Sequence, residues 1–453
     1  MAASSLRITE FDEAGLEKAT YVQSPEGSTE RSRVDVIAPK DAKTLWQQAF
    51  DVFMPVGYPS SVTHDYLEYQ IYDSLQAFSS SIASLLASRA VLSSVGVGDA
   101  DASPTAAILL SIFQTSAGRL ATILFAHRLG TSLEPECKMY RLLADILNDT
   151  GFLLDMVSVA FPKPISVIIL SFSSILRSLC GVAAGSAKAS LSAHFAKWGN
   201  LAELNAKDSS QETVISLLGM WAGSVVISYI TEPTAAWTAL IVLLAIHLET
   251  NRRAVRAVTM QTLNRQRATL VFHHLQRGHV PTPVEIASQE RIFERDGVLR
   301  DDHDRIIGHC AVGASTERLL KAVSGAQTST KAFPSQGPAL QSVLSTYEKT
   351  PYILWQDKKS SPGRSSLFIV LKKGVTNPEM ITAWWQALAV ASANSIKKTA
   401  RPDQYAELEM MNSTRHQAAG LLKQYESALK EKGWDLECGA LETVSASRIA
   451  IEA

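Results

Sequence analysis

The sequence has few of the residue patterns that mark common enzymes and metal-binding proteins. Its four cysteines, Cys137, Cys180, Cys310 and Cys438, stand far apart among 453 residues, with no CxxC or Cys/His spacing. This argues against a zinc centre, an iron–sulfur cluster and a secreted disulfide scaffold. No GxSxG, HExxH or Walker motif occurs, which argues against a hydrolase, a metalloprotease or a nucleotide-dependent enzyme. We therefore expect a non-catalytic protein without a metal or a cofactor.

The sequence also has no excess of charge of one sign. It contains 43 basic and 44 acidic residues, so the composition shows no basic surface for nucleic acid, and no nucleic-acid partner is expected. Charged residues make up only 19% of the chain, below the roughly 25% of typical soluble domains. The distribution of the apolar residues therefore decides the class of protein.

The apolar residues are concentrated in six segments between residues 70 and 250. The clearest is Thr213 to Ile230, which has 18 residues and no charge, a length that can span a bilayer as a helix. The other five are shorter or interrupted by charges, and each alone could be a buried core helix. They lie at about 71–95, 105–126, 139–159, 165–186 and 234–250.

The basic residues between these segments favour a membrane protein, because cytoplasmic loops are rich in Lys and Arg. The opposite connections contain a single basic residue, Lys163. The sequence thus predicts an integral membrane domain of about six spans, with both termini cytosolic. A soluble bundle stays open, since a charge at bilayer depth costs about 2.5–3.5 kcal/mol. The connections after the second, fourth and sixth segments contain Arg128, Lys138, Arg141, Lys188, Lys197, Lys207, Arg252, Arg253, Arg256, Arg265 and Arg267.

Three long stretches closely resemble the root UVB-sensitive protein family. They are DVFMPVGYPSSVTHDYLEYQIYDSLQ at 51–76, FAHRLGTSLEPECKMYRLLADILND at 125–149 and AELNAKDSSQETVISLLGM at 202–220. The resemblance covers roughly residues 45 to 275 and is weaker in the last third. It implies a link to UVB tolerance and vitamin B6 homeostasis in plants, without an agreed catalytic activity.

The first of these stretches contains a turn that defines the family motif. A glycine between two prolines fixes an extended turn before the first apolar segment, and several tyrosines follow. Because aromatic residues with a polar tip favour the membrane interface, we interpret the stretch as an interfacial elbow. A partner-binding or ligand-lid role is the alternative. The motif residues are Pro55, Gly57, Tyr58, Pro59, Asp65 and Tyr66.

Charged residues inside the apolar segments form a candidate ligand site. Asp145, Asn148 and Asp149 share one face of the third segment, since they are three and four residues apart. In a membrane such a face must meet a cavity or a cation, and Arg119 and Arg177 are available on neighbouring segments. Two interpretations remain open: a structural salt bridge between helices, or a buried polar site for a small charged solute or a proton.

A second candidate site precedes the fifth segment. Ser209 followed by Glu212 has the spacing of a capping box, which predicts that a helix begins here. The amide groups of that helix end, together with Lys207 and Lys188, would form an anion site. Pyridoxal phosphate would suit such a site, and a helix cap without a ligand is the alternative.

Two GxxxG pairs and an internal repeat bear on the helical domain. Gly181 with Gly185, and Gly219 with Gly223, predict close helix packing, with hinges as the alternative. A shift of 69 residues superposes 118–138 on 187–207 with five matched positions. Internal repeats are common in transporters.

Three regions are predicted along the chain. The polar residues 1–40 indicate a disordered N-terminal tail, 41–275 form the helical membrane domain, and 276–453 form a cytosolic α+β domain with a loop at 324–338. In the last region, β-prone runs at 352–356 and 367–371 predict a hairpin. Trp384 and Trp385 are expected in the core.

The predicted fold is therefore mainly α: a polytopic helical membrane bundle with a C-terminal α+β domain. Its expected role is transporter-like or solute-binding and linked to vitamin B6. A membrane scaffold that forms homo- or hetero-oligomers with a family member, or recruits a soluble partner, is a second hypothesis. A soluble helical sensor is a third. The lipid membrane is the expected partner in the first two.

Overall fold

The computed structural model describes residues 6–11, 17–23, 34–37, 53–94, 104–324, 340–357, 364–396 and 404–451. These residues are mainly helical, with a sheet in the C-terminal region, as predicted. The chain divides into two compact units. The first contains Met1–Ser93 and Lys188–Ala257, and the second contains Ser94–Ala187 and Val258–Ala453.

The N-terminal region contains three strands, β1 (Leu6–Phe11), β2 (Glu17–Gln23) and β3 (Val34–Ile37). They form one antiparallel sheet in the order β1-β2-β3. The prediction of a disordered tail is wrong for these segments. Each contains β-branched residues, and β1 and β2 also contain an aromatic residue, both of which strands favour and the polar overall composition obscured.

All six apolar segments lie in helices. The helices are α1 (Tyr66–Ser94), α2 (Pro104–Leu129), α3 (Cys137–Ser158), α4 (Lys163–Phe195), α5 (Leu201–Tyr229) and α6 (Pro233–Ala257). A short 3-10 turn, Gly130–Ser132, follows α2. The residues of α4 from Lys188 onward belong to the first unit.

Four of these helices are long and apolar enough to cross a membrane: Tyr66–Leu92 of α1, and α4, α5 and α6. Of the most apolar 18-residue stretch in each, 39%, 22%, 11% and 17% respectively is buried within the protein. Among the described residues, α2 and α3 do not meet this criterion, so six spans are not supported. In α3 the reason is charge, because Lys138, Arg141, Asp145, Asp149 and Asp155 are all buried there.

Several basic residues that favoured the membrane prediction are not free loop charges. Lys138 is 7% exposed and lies 2.6 Å from Glu290. Arg141 pairs with Asp145 within α3. Because such residues are neutralised inside the fold, the count of basic residues in the connections does not by itself establish a topology.

The glycine pairs behave differently from each other. A Cβ atom added to Gly219 would lie 2.7 Å from Ser81 Cβ, and one added to Gly223 would lie 2.7 Å from Leu85 Cδ1. This pair therefore allows α5 to pack closely on α1, as predicted. Added Cβ atoms at Gly181 and Gly185 meet no described atom within 4 Å, so no described helix of this chain packs closely on that pair.

The second unit contains a mixed sheet in the order β4-β5-β7-β6, with β8 also paired to β7. Strands β5 and β7 are parallel, and β6 and β7 are antiparallel, which confirms the predicted hairpin. The remaining elements are α7 (Arg265–Gln276), α8 (Pro283–Gln289), β4 (Val298–Arg300), β5 (Ile306–Val312), α9 (Thr316–Ser324), α10 (Leu340–Thr346), β6 (Tyr352–Gln356), β7 (Ser365–Lys372), α11 (Asn377–Ile396), α12 (Gln404–Glu431) and β8 (Arg448–Ile449).

The core of this sheet unit includes α7 and α11. Trp384 and Trp385 of α11 are fully buried, as predicted. Their indole N–H groups donate to Thr269 Oγ1 at 3.0 Å and to the Ala268 carbonyl at 2.9 Å. Helix α7 thus belongs to the α+β unit, whereas the predicted domain boundary follows it. The predicted loop at 324–338 lies outside the described residues except for Ser324.

Candidate functional site

The family motif forms a turn that leads into α1. Gly57 has a φ of 76°, a left-handed conformation that glycine adopts without a Cβ clash. The Tyr58 amide donates to the Pro55 carbonyl at 3.1 Å, and the Ser60 amide donates to the Gly57 carbonyl at 2.9 Å. The prediction of a turn between Pro55 and Pro59 is therefore confirmed.

The motif packs against the end of α4. The Thr63 amide donates to the Phe195 carbonyl at 3.1 Å, and the Tyr66 ring meets the Phe195 ring edge to face, with centroids 5.5 Å apart. Tyr66 and Tyr69 are 0% and 2% exposed. The interfacial interpretation is wrong for these two tyrosines, because their rings form part of the core of the first unit.

A buried Asp–His pair fastens the motif to α4. Asp65 Oδ2 lies 3.0 Å from His194 Nε2, and the two side chains are 2% and 5% exposed. The contact joins the residue before α1 to the last turn of α4, so α4 positions the motif residue Asp65.

Further polar side chains link α1, α4 and α5. Gln70 Nε2 donates to Asp208 Oδ1 at 3.1 Å. Lys188 Nζ lies 2.7 Å from Asp208 Oδ2 and 2.7 Å from Glu212 Oε2. The Asp208 carboxylate therefore accepts a hydrogen bond from an amide group of α1 and forms an ion pair with an ammonium group of α4.

The same network extends to α6. Gln76 Nε2 donates to Asp73 Oδ1 at 3.3 Å, and Gln76 Oε1 lies 2.7 Å from His247 Nε2. The Tyr69 hydroxyl donates to Asp73 at 3.5 Å. We call these residues the polar cluster: Asp65, Gln70, Asp73, Gln76, Lys188, His194, Asp208 and His247.

The polar cluster consists of residues in, or directly before, helices α1, α4, α5 and α6, whose outer faces are apolar. With a rise of 1.5 Å per residue, its members lie within about 15 Å of the start of α1 and α5 and of the end of α4 and α6. Six of the eight are at most 7% exposed. By contrast, Trp221 and Leu217 of α5 are 72% and 57% exposed, and Ile241 of α6 is 51% exposed. This is the reverse of the arrangement in a soluble bundle.

The predicted acidic face of α3 does not form the expected site. Asp145 pairs at 2.9 Å with Arg141 of its own helix, and Arg177 of α4 pairs with Asp155. Asn148 is half-buried and Asp149 is buried on the same helix. The grouping with Arg119 is wrong, because Arg119 lies exposed on α2 and forms no ion pair with any residue that the structure describes.

The predicted anion site is also wrong. Helix α5 begins at Leu201, so Ser209 and Glu212 lie inside it and no free amide groups face a ligand there. Lys207 is a half-buried residue of the same helix. Lys188 does belong to the polar cluster, where two carboxylates of the protein, and not a ligand anion, neutralise its charge.

The sequence between residues 39 and 278 matches the family described as a vitamin B6 photo-protection and homoeostasis domain. That match covers more than half of the chain. The chain belongs to the root UVB-sensitive family. The resemblance seen in the three sequence stretches is thereby confirmed, and the matched region contains the whole polar cluster.

Other members of the root UVB-sensitive family are similar over different lengths. RUS family member 1 of Dictyostelium discoideum is 41% identical over 54% of this chain and 47% of that protein. Root UVB sensitive 3 of Arabidopsis thaliana is 35% identical over 55% and 57%. Root UVB sensitive 2, chloroplastic, of the same plant is 26% identical over 83% and 80%. The chain thus spans about half the length of the first two relatives. No solved structure matches it.

Most of the polar cluster of this root UVB-sensitive chain was not predicted from the sequence. Gln70, Asp73 and Gln76 are three residues apart, which places them along one face of α1. That spacing within an apolar helix was a usable signal. His247 gave none, because a single histidine in an apolar segment carries no periodic pattern.

Proposed function

We propose that this root UVB-sensitive protein is an integral membrane protein in which α1, α4, α5 and α6 cross the bilayer. The observation that supports this most strongly is the exposed apolar surface. In α5 only 11% of the most apolar stretch is buried, and Trp221 and Tyr229 are 72% and 83% exposed. Soluble monomers rarely expose contiguous apolar patches larger than a few hundred Å², whereas lipid would cover such a surface.

We further propose that the polar cluster is a binding site for a small polar solute. Ionisable groups at membrane depth are costly and usually mark a solute or proton pathway. The cluster combines carboxylates at Asp73 and Asp208, amides at Gln70 and Gln76, and an ammonium at Lys188. Such a set can recognise a compound that both donates and accepts hydrogen bonds.

The family description makes a vitamin B6 vitamer the first solute to test. A vitamer is a small ring compound with hydroxyl groups and a ring nitrogen, and the donors and acceptors of the polar cluster suit both. The role proposed is binding or transport without a catalytic step, and pyridoxal phosphate is included among the vitamers to be tried.

A membrane scaffold is the second candidate function. Gly181 and Gly185 lie open on α4, with no described atom near an added Cβ. Small residues at this spacing allow another helix to approach closely in a membrane. A second copy, or another family member, would use this stripe to form an oligomer.

The first experiment is carbonate washing of membranes, combined with cysteine labelling at the two ends of α5. The sites are Trp198→Cys and Glu232→Cys, each exposed, in a background without the four native cysteines. We expect the protein to stay in the membrane and the two sites to label from opposite sides. Release by carbonate would refute the membrane proposal and favour a soluble sensor.

The second experiment tests the solute site. Purified protein in liposomes should take up labelled pyridoxine, and Lys188→Met or Asp208→Asn should reduce that uptake at least tenfold. Lys197→Met is the matched control, because Lys197 is exposed outside the polar cluster. Equal uptake by all variants would reject the cluster as the site. Membrane retention without uptake, together with oligomers that Gly181→Leu disrupts, would favour the scaffold.

A further inference from the structure

The second unit contains a cleft that the proposed function does not use. Its volume is about 170 Å³, and it lies among the end of α2, the start of α3, helix α7, the segment before β4 and residues 443–444. At roughly 30 Å³ per water molecule, this space corresponds to about six waters or one small organic molecule.

Four arginines line this cleft, and two of them are already paired. Arg265 pairs with Asp296, and Arg300 pairs with Glu294 at 2.7 Å. The other two are Arg128 and Arg295. Both are exposed, and neither forms an ion pair with any residue in the described ranges. The cleft therefore has two guanidinium groups available for a ligand.

One of the three acidic residues that line the cleft, Glu136, is partly protonated near neutral pH. Burial raises the pKa of Glu136 to about 7, so near neutral pH about half of the Glu136 carboxyl groups are protonated. Its Oε2 atom accepts from Asn264 Nδ2 at 3.2 Å. The charged and titratable groups around it are Arg265, Arg267, Glu290, Asp296, Tyr140 and Cys137.

Much of the remaining wall of the cleft is apolar, although Ser132, Gln266, Thr269 and Thr443 also line it. Leu129, Met139, Val298 and Val444 contribute aliphatic surface, and Tyr140 contributes a ring. The Tyr140 hydroxyl is already within 2.7 Å of Ser132 Oγ, so the ring offers mainly its carbon surface. A ligand for this cleft thus needs an apolar body as well as a negative group.

We propose that the cleft binds a small organic anion, with a carboxylate or phosphate held by Arg128 and Arg295 and an apolar body against Met139 and Val444. Guanidinium groups bind carboxylate and phosphate through paired, charge-assisted hydrogen bonds. The site lies in the second unit and does not depend on the polar cluster or on membrane insertion.

Calorimetry on the purified full-length chain tests this proposal with four probes of similar size: benzoate, phenyl phosphate, benzyl alcohol and benzylamine. We expect the two anions to bind, and the neutral and cationic probes to bind at least tenfold more weakly. The relative affinity of benzoate and phenyl phosphate identifies the preferred acid group. Failure of both anions to bind at millimolar concentration would overturn the proposal.

Variants separate charge from volume. Arg128→Gln and Arg295→Gln should each weaken benzoate binding about tenfold, since each loses a charge-assisted hydrogen bond. Arg256→Gln, which removes an exposed arginine of α6, is the matched control and should bind as the wild type does. Val444→Trp should block the cleft without changing its charge. Unchanged affinity in the two cleft arginine variants would refute the assignment.

Discussion

Replacement of Glu290 by glutamine should destabilise the second unit strongly. Glu290 follows α8, and its side chain is 5% exposed. Its two oxygens lie 2.6 Å from Lys138 Nζ and 2.7 Å from Arg267 Nη1, and those cationic side chains are 8% and 2% exposed. Glu290→Gln would leave both positive charges buried beside a neutral group.

The size of the effect follows from this burial. Removal of one partner from a buried ion pair typically costs about 3–5 kcal/mol. The pair of Glu317 with Lys321, whose side chains are 65% and 53% exposed, should contribute far less, because solvent screens an exposed pair. Glu317→Gln is therefore the matched control. We expect a loss of about 3 kcal/mol or more in Glu290→Gln and a much smaller loss in the control.

Urea unfolding followed by tryptophan fluorescence measures this difference, because four buried tryptophans report on the second unit. Equal unfolding free energies in the two variants, within about 0.5 kcal/mol, would refute the reasoning. The pH dependence provides a second test. Burial opposes ionisation of Glu290, but the attraction of Lys138 and Arg267 outweighs it and lowers the pKa. The ionised Glu290 side chain thus stabilises the wild type fully above the unfolded pKa of about 4.3, and this stabilisation is lost as the pH falls further. Glu290→Gln should lack this loss on acidification. The four tryptophans are Trp355, Trp384, Trp385 and Trp434.

Three further predictions follow from single contacts. Gly219→Leu should push α5 away from α1 and cost about 1–3 kcal/mol of stability, which lowers the melting temperature of the detergent-solubilised monomer. Gly181→Leu should leave that melting temperature unchanged, since an added Cβ there meets nothing within 4 Å. Equal melting temperatures of the two variants would contradict this. Benzoate affinity should fall between pH 6 and pH 8 as Glu136 ionises with a pKa of about 7, and calorimetry on Glu136→Gln should show a flat profile. Burial raises the pKa of the Cys310 thiol to about 12, so at pH 8 iodoacetamide should label the half-buried Cys438 and spare Cys310 until the protein unfolds, which mass spectrometry would detect.

Local patterns predicted a few elements of the second unit, namely strands β6 and β7 and the buried tryptophans of α11. The β-prone runs around 352–356 and 367–371 and the apolar segment that contains Trp384 and Trp385 each specify a buried element directly. The strands between residues 6 and 37 were missed, because the polar average composition of residues 1–40 hid these short strands. Composition averaged over forty residues cannot resolve a strand of four to seven.

The candidate site was harder to predict, because spacing identifies a helix face but not the helix that meets it. Asp145 was expected to find a cation on a neighbouring helix and instead pairs with Arg141, one turn away. Ser209 and Glu212 have capping-box spacing, yet the same three-residue spacing also occurs in the middle of a helix. Lys188 was predicted to bind an anion and instead pairs with Asp208 and Glu212 of α5, through tertiary packing that no local pattern contains.

The glycine pair and the polar cluster form one structural device in the first unit. Gln70 meets Asp208, Ser81 meets Gly219 and Leu85 meets Gly223, and the residue numbers in all three contacts differ by 138. A constant difference means that α1 and α5 run parallel and in register over this length. The distance from Asp208 to Gly219 is about 16 Å along the helix at 1.5 Å per residue. The close backbone approach at the glycines therefore fixes the distance and register that bring Gln70 within 3.1 Å of Asp208. The small residues of α5 thus set the spacing at which the polar side chains of α1 and α5 meet.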